Sequence, residues 1–355
     1  MATALSTYAY INAKLRGRIS KLLDEEFFRR VAGARSFPEA MGMLAGTPYE
    51  AAADAYTRTG DVKMSELELV RTEWSLLASL DRSIPDAIRP FTDAVLRRFE
   101  VASVKHALRL WFERSVRGRP IDEKVAYLVR DERVHDAPVD ACINASGAAE
   151  VARALADRPY AGALGGPLGR VEQSGSLFEV EVALDRWYYG RLVERARALG
   201  GRDAPVALRL LGLQIDIQNV NWIVRMRRSY GPEHGELLEA VLPGGTLIRP
   251  DDARAAYRAD RPIDELLGVL GGRHPILASR RPEEDERGAR RLALLEELLR
   301  AVLFAEVRRT LGGYPFTIGT MLAYVLLVGN EVRLLVSVLN AKYYELPPQR
   351  IEELL

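Results

Sequence analysis

Apolar positions along this chain recur at helical spacing. Segments such as ELELVRTEWSLLASL, FEVEVALDRWYYGRLVERARAL and RRLALLEELLRAVLFAEVRRTL set their leucines, valines and aromatics three and four residues apart, the stripe of an amphipathic helix. Leu, Ala, Arg and Glu dominate the texture and are strong helix formers, whereas threonine is sparse. Gly and Pro gather between the helical segments, at GRP (118–120), GALGGPLG (162–169), LPGG (242–245) and LGGYP (311–315). No stretch alternates apolar and polar residues between turn signals, so the pattern predicts an all-α protein. The most apolar run, FTIGTMLAYVLLVG from Phe316 to Gly329, is cut short by Asn330, Glu331 and Arg333. A bilayer-spanning helix needs ~20 apolar residues, so this run reads as a helix buried in a protein core.

The same patterns return along the chain. EAMGMLAGTPY, EVARALADRPY and ELLGVLGGRHP each place a glutamate (Glu39, Glu150, Glu265) five residues before a leucine, with a proline turn after it. Leu44, Leu155 and Leu270 follow one another at 111 and 115 residues. Ser36, three residues before Glu39, fits a capping box, and Gly46 and Gly271 suit helix exits. A longer helix also recurs, as EVASVKHALRL, DIQNVNWIVRM and EVRLLVSVLNA. Its leading acids Glu100, Asp216 and Glu331 are spaced 116 and 115 residues apart. Those acids are expected at helix starts, where the dipole favours negative charge. ELVRTEW and EVALDRW add a third pair, with Trp74 and Trp187 lying 113 residues apart.

A shared period of about 115 residues, the size of a small domain, points to three-fold internal duplication. The short helix comes first in the chain and the long helix last. Three copies of each exist only if the C-terminal helix completes the unit begun at the N-terminus. The expected division is therefore a first helical unit over 1–99, a second over 100–215, a third over 216–330, and a C-terminal helix over 331–355 that closes onto the first. The chain ends are then neighbours, and the units close, or nearly close, into a ring or funnel.

Composition narrows the chemistry. The chain has 355 residues and a formal net charge of +1, which argues against a nucleic-acid binder that works through a broad basic field. One cysteine, Cys142, excludes an internal disulfide framework, and its default reading is a structural thiol. His106, His135, His234 and His274 are too scattered for a short-range metal motif. The opening residues carry no secretion signal, so a reducing cytoplasm is expected. No phosphate loop, nucleophile elbow or His-Glu-x-x-His motif occurs, and GALGGPLGR, which lacks the phosphate-binding lysine, reads as a flexible loop. Mixed-charge runs such as RPEEDERGARR and PPQRIEEL read as solvated helix faces. The sequence thus assigns no catalytic, cofactor-binding or metal-ligating residue.

Against that background the two ends of the chain carry a resemblance. AYINAKLR (9–16) is similar to the opening helix of the C subunit of V/A-type rotary ATPases, the family that includes the d subunit of the eukaryotic V-ATPase. The matching positions are Tyr10, Ala13, Lys14 and Arg16. LAYVLLVGNEVRLLVSVLNAKYYELPPQRIEELL (322–355) resembles the family's C-terminus, and DIQNVNWIVRMRRSYG (216–231) resembles the middle copy of the same helix. Asn219 fits an asparagine common in that helix, whereas Ser103 and Leu334 replace it in the other copies. The resemblance implies an all-α funnel of three similar units with approximate three-fold symmetry. It implies a non-catalytic rotor component, without cofactor or bound nucleotide, at the cytoplasmic face of the membrane. Its partners are then the D and F subunits of the central shaft and the membrane proteolipid ring, and it links ATP hydrolysis or synthesis to proton or sodium transport.

Two other readings stand beside this one. A helical-repeat scaffold usually has repeats of ~34–47 residues, shorter than the period found here. An all-α enzyme would need a site in a bundle centre. Trp111, Trp222 and Arg225 could anchor a partner or belong to the core, and the tryptophans read as core.

Overall fold

The computed structural model describes residues 4–131, 134–230, 241–280 and 288–352. Among these the chain is all-helical, with no strand. Local capping accounts for several helix starts. Asp24 opens the helix Glu25–Gly33 by accepting from Phe27 N at 2.7 Å, and Asp61 opens Val62–Ala78 by accepting from Lys63 N at 2.8 Å. Ser36 opens Phe37–Gly42 by accepting from Glu39 N at 3.3 Å, but the expected reciprocal bond is displaced by one residue. The Glu39 carboxylate takes Arg35 N instead, at 2.7 Å. Gly46 has the left-handed φ of 73° expected of a helix exit. Gly271 does not, because the helix Pro262–Gly271 still contains it.

Two further expectations need correction. GALGGPLG lies inside the helix Ala161–Ser174, with Pro167 in its interior, and is not a loop. Leu164, Leu168 and Val171 fall on one buried face, so tertiary packing outweighs the poor helix propensity of the glycines. The apolar run ending at Gly329 is only part of a helix that continues to Tyr343. That helix, Gly319–Tyr343, has 25 residues and is long and apolar enough to cross a bilayer by length and composition. Asn330, Glu331 and Arg333 do not end it, since their polar groups find partners within the protein. Most of its apolar window is buried there.

The chain packs as two compact units. The first comprises Met1–Pro85, Leu96–Arg158 and Thr320–Leu355. Phe27, Phe28, Val31, Phe37, Leu44 and Tyr49 from its N-terminal helices share a core with Val332, Leu335, Val338 and Leu339. Ile351, from the last helix, joins the same core. Polar contacts tie these distant segments as well. Thr320 Oγ1 donates to Asn12 Oδ1 at 2.8 Å, Asn340 Nδ2 to Glu66 at 2.6 Å, and Lys342 Nζ to Ala34 O at 2.6 Å. Gly329 makes room for an ion pair: Arg98 bonds Glu73 at 2.6 Å, and a Cβ at position 329 would lie 3.1 Å from Glu73 Oε1.

The second unit comprises Asp86–Val95 and Pro159–Gly319. The helices Phe178–Ala198 and Gly288–Gly312 both pack on Asp203–Tyr230. The shorter helices Pro250–Arg258, Pro262–Gly271 and Pro275–Ala278 all begin with proline, whose fixed φ and missing N–H suit the first helical turn. The loop through LPGG lies so close to the helix Asp203–Tyr230 that two glycines are required. A Cβ on Gly212 would meet Thr246 Oγ1 at 2.1 Å and Gly244 O at 3.0 Å, and one on Gly245 would meet Asp216 Oδ1 at 2.4 Å.

Two stability outcomes follow from this packing. Leu335→Ala, at a fully buried position of the shared core, should cost about 2–5 kcal/mol in urea unfolding. Gly212→Ala should cost about 1–3 kcal/mol, because a backbone carbonyl opposes the added methyl.

Candidate functional site: acids buried in the long helices

A charge in an apolar helical stripe must find partners or be neutralised. Glu100, Asp216 and Glu331 are such charges, at 7%, 0% and 5% exposure. Only Glu100 lies in the first turn of its helix, Arg98–Trp111. Asp216 and Glu331 lie well inside Asp203–Tyr230 and Gly319–Tyr343, so the helix-dipole explanation fails for both. The reason is that apolar helix-forming sequence extends each helix upstream of its acid.

Each acid faces a loop that leads into a shorter helix. Asp216 accepts three backbone N–H groups, from Thr246, Leu247 and Ile248, at 2.9, 2.7 and 3.0 Å. These residues lead into Pro250–Arg258. Glu331 accepts from Leu23 N, just before Glu25–Gly33, and from the Tyr49 hydroxyl at 2.6 Å. Glu100 pairs with Arg97 at 3.3 Å, and its charge acts on His135. His135 Nδ1 accepts from Ala137 N at 3.3 Å, in the approach to Val139–Asn144.

The surroundings of Asp216 reinforce the clamp. Arg273 forks onto Asp252 at 2.5 and 2.9 Å and also donates to Leu247 O at 2.5 Å. Asn219, one helical turn beyond Asp216, bonds Leu242 in both directions. Its Nδ2 donates to Leu242 O at 3.0 Å, and its Oδ1 accepts from Leu242 N at 2.8 Å. That two-way pairing gives a physical role to an asparagine that Ser103 and Leu334 could not reproduce. Burial pushes the Asp216 carboxyl up to about 6, against the pull of its three N–H donors and of Arg273.

The other residues singled out by the sequence fall into ordinary places. Trp111 and Trp222 are fully buried in the core. Arg225 is exposed, pairs with buried Glu181 at 2.8 Å, and lies 4.9 Å from the centre of the Trp222 ring. Trp74 and Trp187 are half-buried and meet Phe99 and Tyr160 edge-on, each at 5.3 Å. Tyr10 is 70% exposed on the first helix, while Lys14 donates to Ser83 Oγ at 2.6 Å. Cys142 is buried, and burial pushes its thiol up to about 12, which makes it a poor nucleophile at neutral pH. His274 caps the helix Pro275–Ala278 through Nδ1, and burial lowers the pKa of half-buried His106. His234 and the acidic part of RPEEDERGARR (283–286) lie outside the described residues. Among the described residues no group of His, Cys, Asp and Glu could hold a metal ion. Two of the acids brought inside the molecule, Asp216 and Glu331, hold backbone N–H groups of distant segments.

The comparisons agree with a component of a larger assembly. The family model described as ATP synthase (C/AC39) subunit matches residues 11–354. The C subunit of the A-type ATP synthase of Methanothermobacter thermautotrophicus is 25% identical over 340 residues, covering 95% of this chain and 84% of the relative. The corresponding protein of Methanocaldococcus jannaschii is 22% identical over 356 residues, covering 100% and 88%. That of Thermococcus onnurineus is 25% identical over 355 residues, covering 98% and 89%.

Replacing Asp216 tests the clamp. Asp216→Asn offers one acceptor oxygen where the carboxylate offers two, so an N–H would face the new amide; the variant should lose about 1–3 kcal/mol at pH 7. The pH dependence has a defined sign. Between the ordinary value of 3.8 and about 6 the native state keeps a proton that the unfolded chain has released. This group's contribution to stability therefore falls as pH rises through that window and is level above it. Urea titrations at several pH values should show that slope in the wild type and lose it in the variant.

Proposed function

Because this chain belongs to the ATP synthase (C/AC39) subunit family, and its relatives are named as C subunits of A-type ATP synthases, we propose that it works as a non-catalytic part of the central rotor of a V/A-type ATPase. There it joins the D and F subunits of the shaft to the membrane proteolipid ring, so that ATP hydrolysis or synthesis is linked to proton or sodium transport. It sits at the cytoplasmic face of the membrane, held there through the ring. Its arrangement in this reading is a funnel of three similar helical units, 1–99, 100–215 and 216–330, with 331–355 closing onto the first. The observation that carries the proposal is a family match running over nearly the whole chain.

The physical demands of the role support it. A torque coupler must not yield under load, and stiffness comes from dense helical packing. Long helices locked to their loops by buried acids supply such packing. Docking onto two partners also needs broad interfaces, ~1,200–2,000 Å² or more for each stable one.

A pull-down of the tagged chain from gently solubilised membranes tests the reading. Proteolipid and both shaft proteins should co-purify in fixed proportion. Recovery of the chain without either partner would overturn the proposal.

A further inference from the structure

Among the described residues, Glu331 differs in its company from four of the other buried acids, while the remaining one, Asp185, accepts from Gln218 Nε2 at 3.1 Å. Asp216 has three N–H donors with Arg273 nearby, Glu100 has Arg97, Glu73 has Arg98, and Glu181 has Arg225. Glu331 has only the Leu23 N–H and the Tyr49 hydroxyl, both neutral. Among the described residues no cation lies within ion-pairing distance of it. The cations on the neighbouring segments are engaged elsewhere. Arg29 pairs with Glu25, Arg333 bonds Asn330 at 2.9 Å, Arg98 bonds Glu73 at 2.6 Å, Arg18 bonds Leu76 O at 2.8 Å, and Lys342 bonds Ala34 O at 2.6 Å. Burial raises the Glu331 carboxyl above the ordinary range, as expected of an acid lacking a counter-ion.

A cavity of about 190 Å³ is lined in part by Glu331. The rest of its lining is mostly leucine (Leu22, Leu23, Leu327 and Leu334), with Phe28, Asn330 and a second acid, the exposed Glu25. Four of these residues, Leu22, Leu23, Leu327 and Leu334, are half-buried, so the cavity reaches the surface. Leucine walls with two acids, Glu331 buried and Glu25 exposed, suit a side chain with a hydrocarbon stem and a cationic head.

We propose that this cavity is a socket for one lysine or arginine side chain of the central shaft, with Glu331 as its counter-ion. The inference rests on the rotor reading above. The choice of the shaft follows from symmetry. Of the three acids spaced 116 and 115 residues apart in the sequence, Glu100 pairs with Arg97 and Asp216 has three N–H donors with Arg273 nearby, whereas Glu331 has two neutral donors and no cation beside it. A ring of identical chains presents the same group many times over. A socket that occurs once matches a partner that presents its group once.

The test uses the purified full chain and the purified pair of shaft proteins, with affinity measured at low and high salt. In Glu331→Gln the amide oxygen can still accept from Leu23 N, and the amide nitrogen can donate to the Tyr49 hydroxyl. The fold should therefore persist, read as an unchanged melting temperature. Shaft affinity should fall at least ~10-fold, with a weaker salt dependence, because a buried charge pair is lost. Leu327→Lys sets a lysine one helical turn before Glu331 and fills the socket from within; it should weaken shaft binding without lowering the melting temperature. This second variant decides the matter if Glu331→Gln fails to fold. Wild-type shaft affinity in both variants would overturn the socket while leaving the rotor reading intact. Loss of ring attachment with unchanged shaft affinity would overturn it too. A wild-type chain that binds no shaft would overturn both readings.

Discussion

A carboxylate taken out of water needs hydrogen bonds, and this fold is arranged around that demand. Its long helices carry acids on otherwise apolar faces. Each acid lies beside a loop that must enter another helix in a fixed place. The donors that Asp216 requires are backbone N–H groups of residues 246–248, and those that Glu331 accepts come from Leu23 and Tyr49. Neutralising the acid and placing the loop are thus a single event. The cost of a missing partner exceeds the gain from an ordinary hydrogen bond, so the pairing constrains the loop strongly.

The same constraint explains why glycine and asparagine stand where they do. The loop can reach Asp216 only if it approaches the helix closely, and Gly212 and Gly245 leave that space. Asn219 then pairs with Leu242 as one backbone strand would with another. In the first unit Gly329 similarly admits the Glu73–Arg98 pair. Apolar burial fills the remaining volume, and it draws residues from both ends of the sequence into one core. Polar clamps specify position, and close packing resists deformation.

Much of this was legible before any coordinates. The helical period, the segments that form long helices and the recurrence of the acids were all visible in the residue pattern, as was the likeness to the C/AC39 family that the family model bears out. The roles of the acids were not legible. A helix start is the local explanation for an acid before an apolar run, and it holds only for Glu100. The sharper signal was their setting: Asp216 in LGLQIDIQNV and Glu331 in VLLVGNEVRLL interrupt apolar stripes on both sides, which marks a buried charge with a distant partner. GALGGPLG reads as a loop for a related reason: its glycines are a local signal, whereas the burial of Leu164, Leu168 and Val171 that favours a helix is tertiary.

What the sequence determined by itself was periodicity: which segments form the long helices, which faces are apolar, and the family to which the chain is similar. These depend on neighbours within a few positions or on order along the chain. What only the tertiary structure decided was the destination of each buried charge. Leu23 and Glu331 are 308 residues apart, and no local rule pairs them. Their meeting is set by the packing of whole helices, and so is the fact that Glu331 meets two neutral donors and lines a leucine-rich cavity.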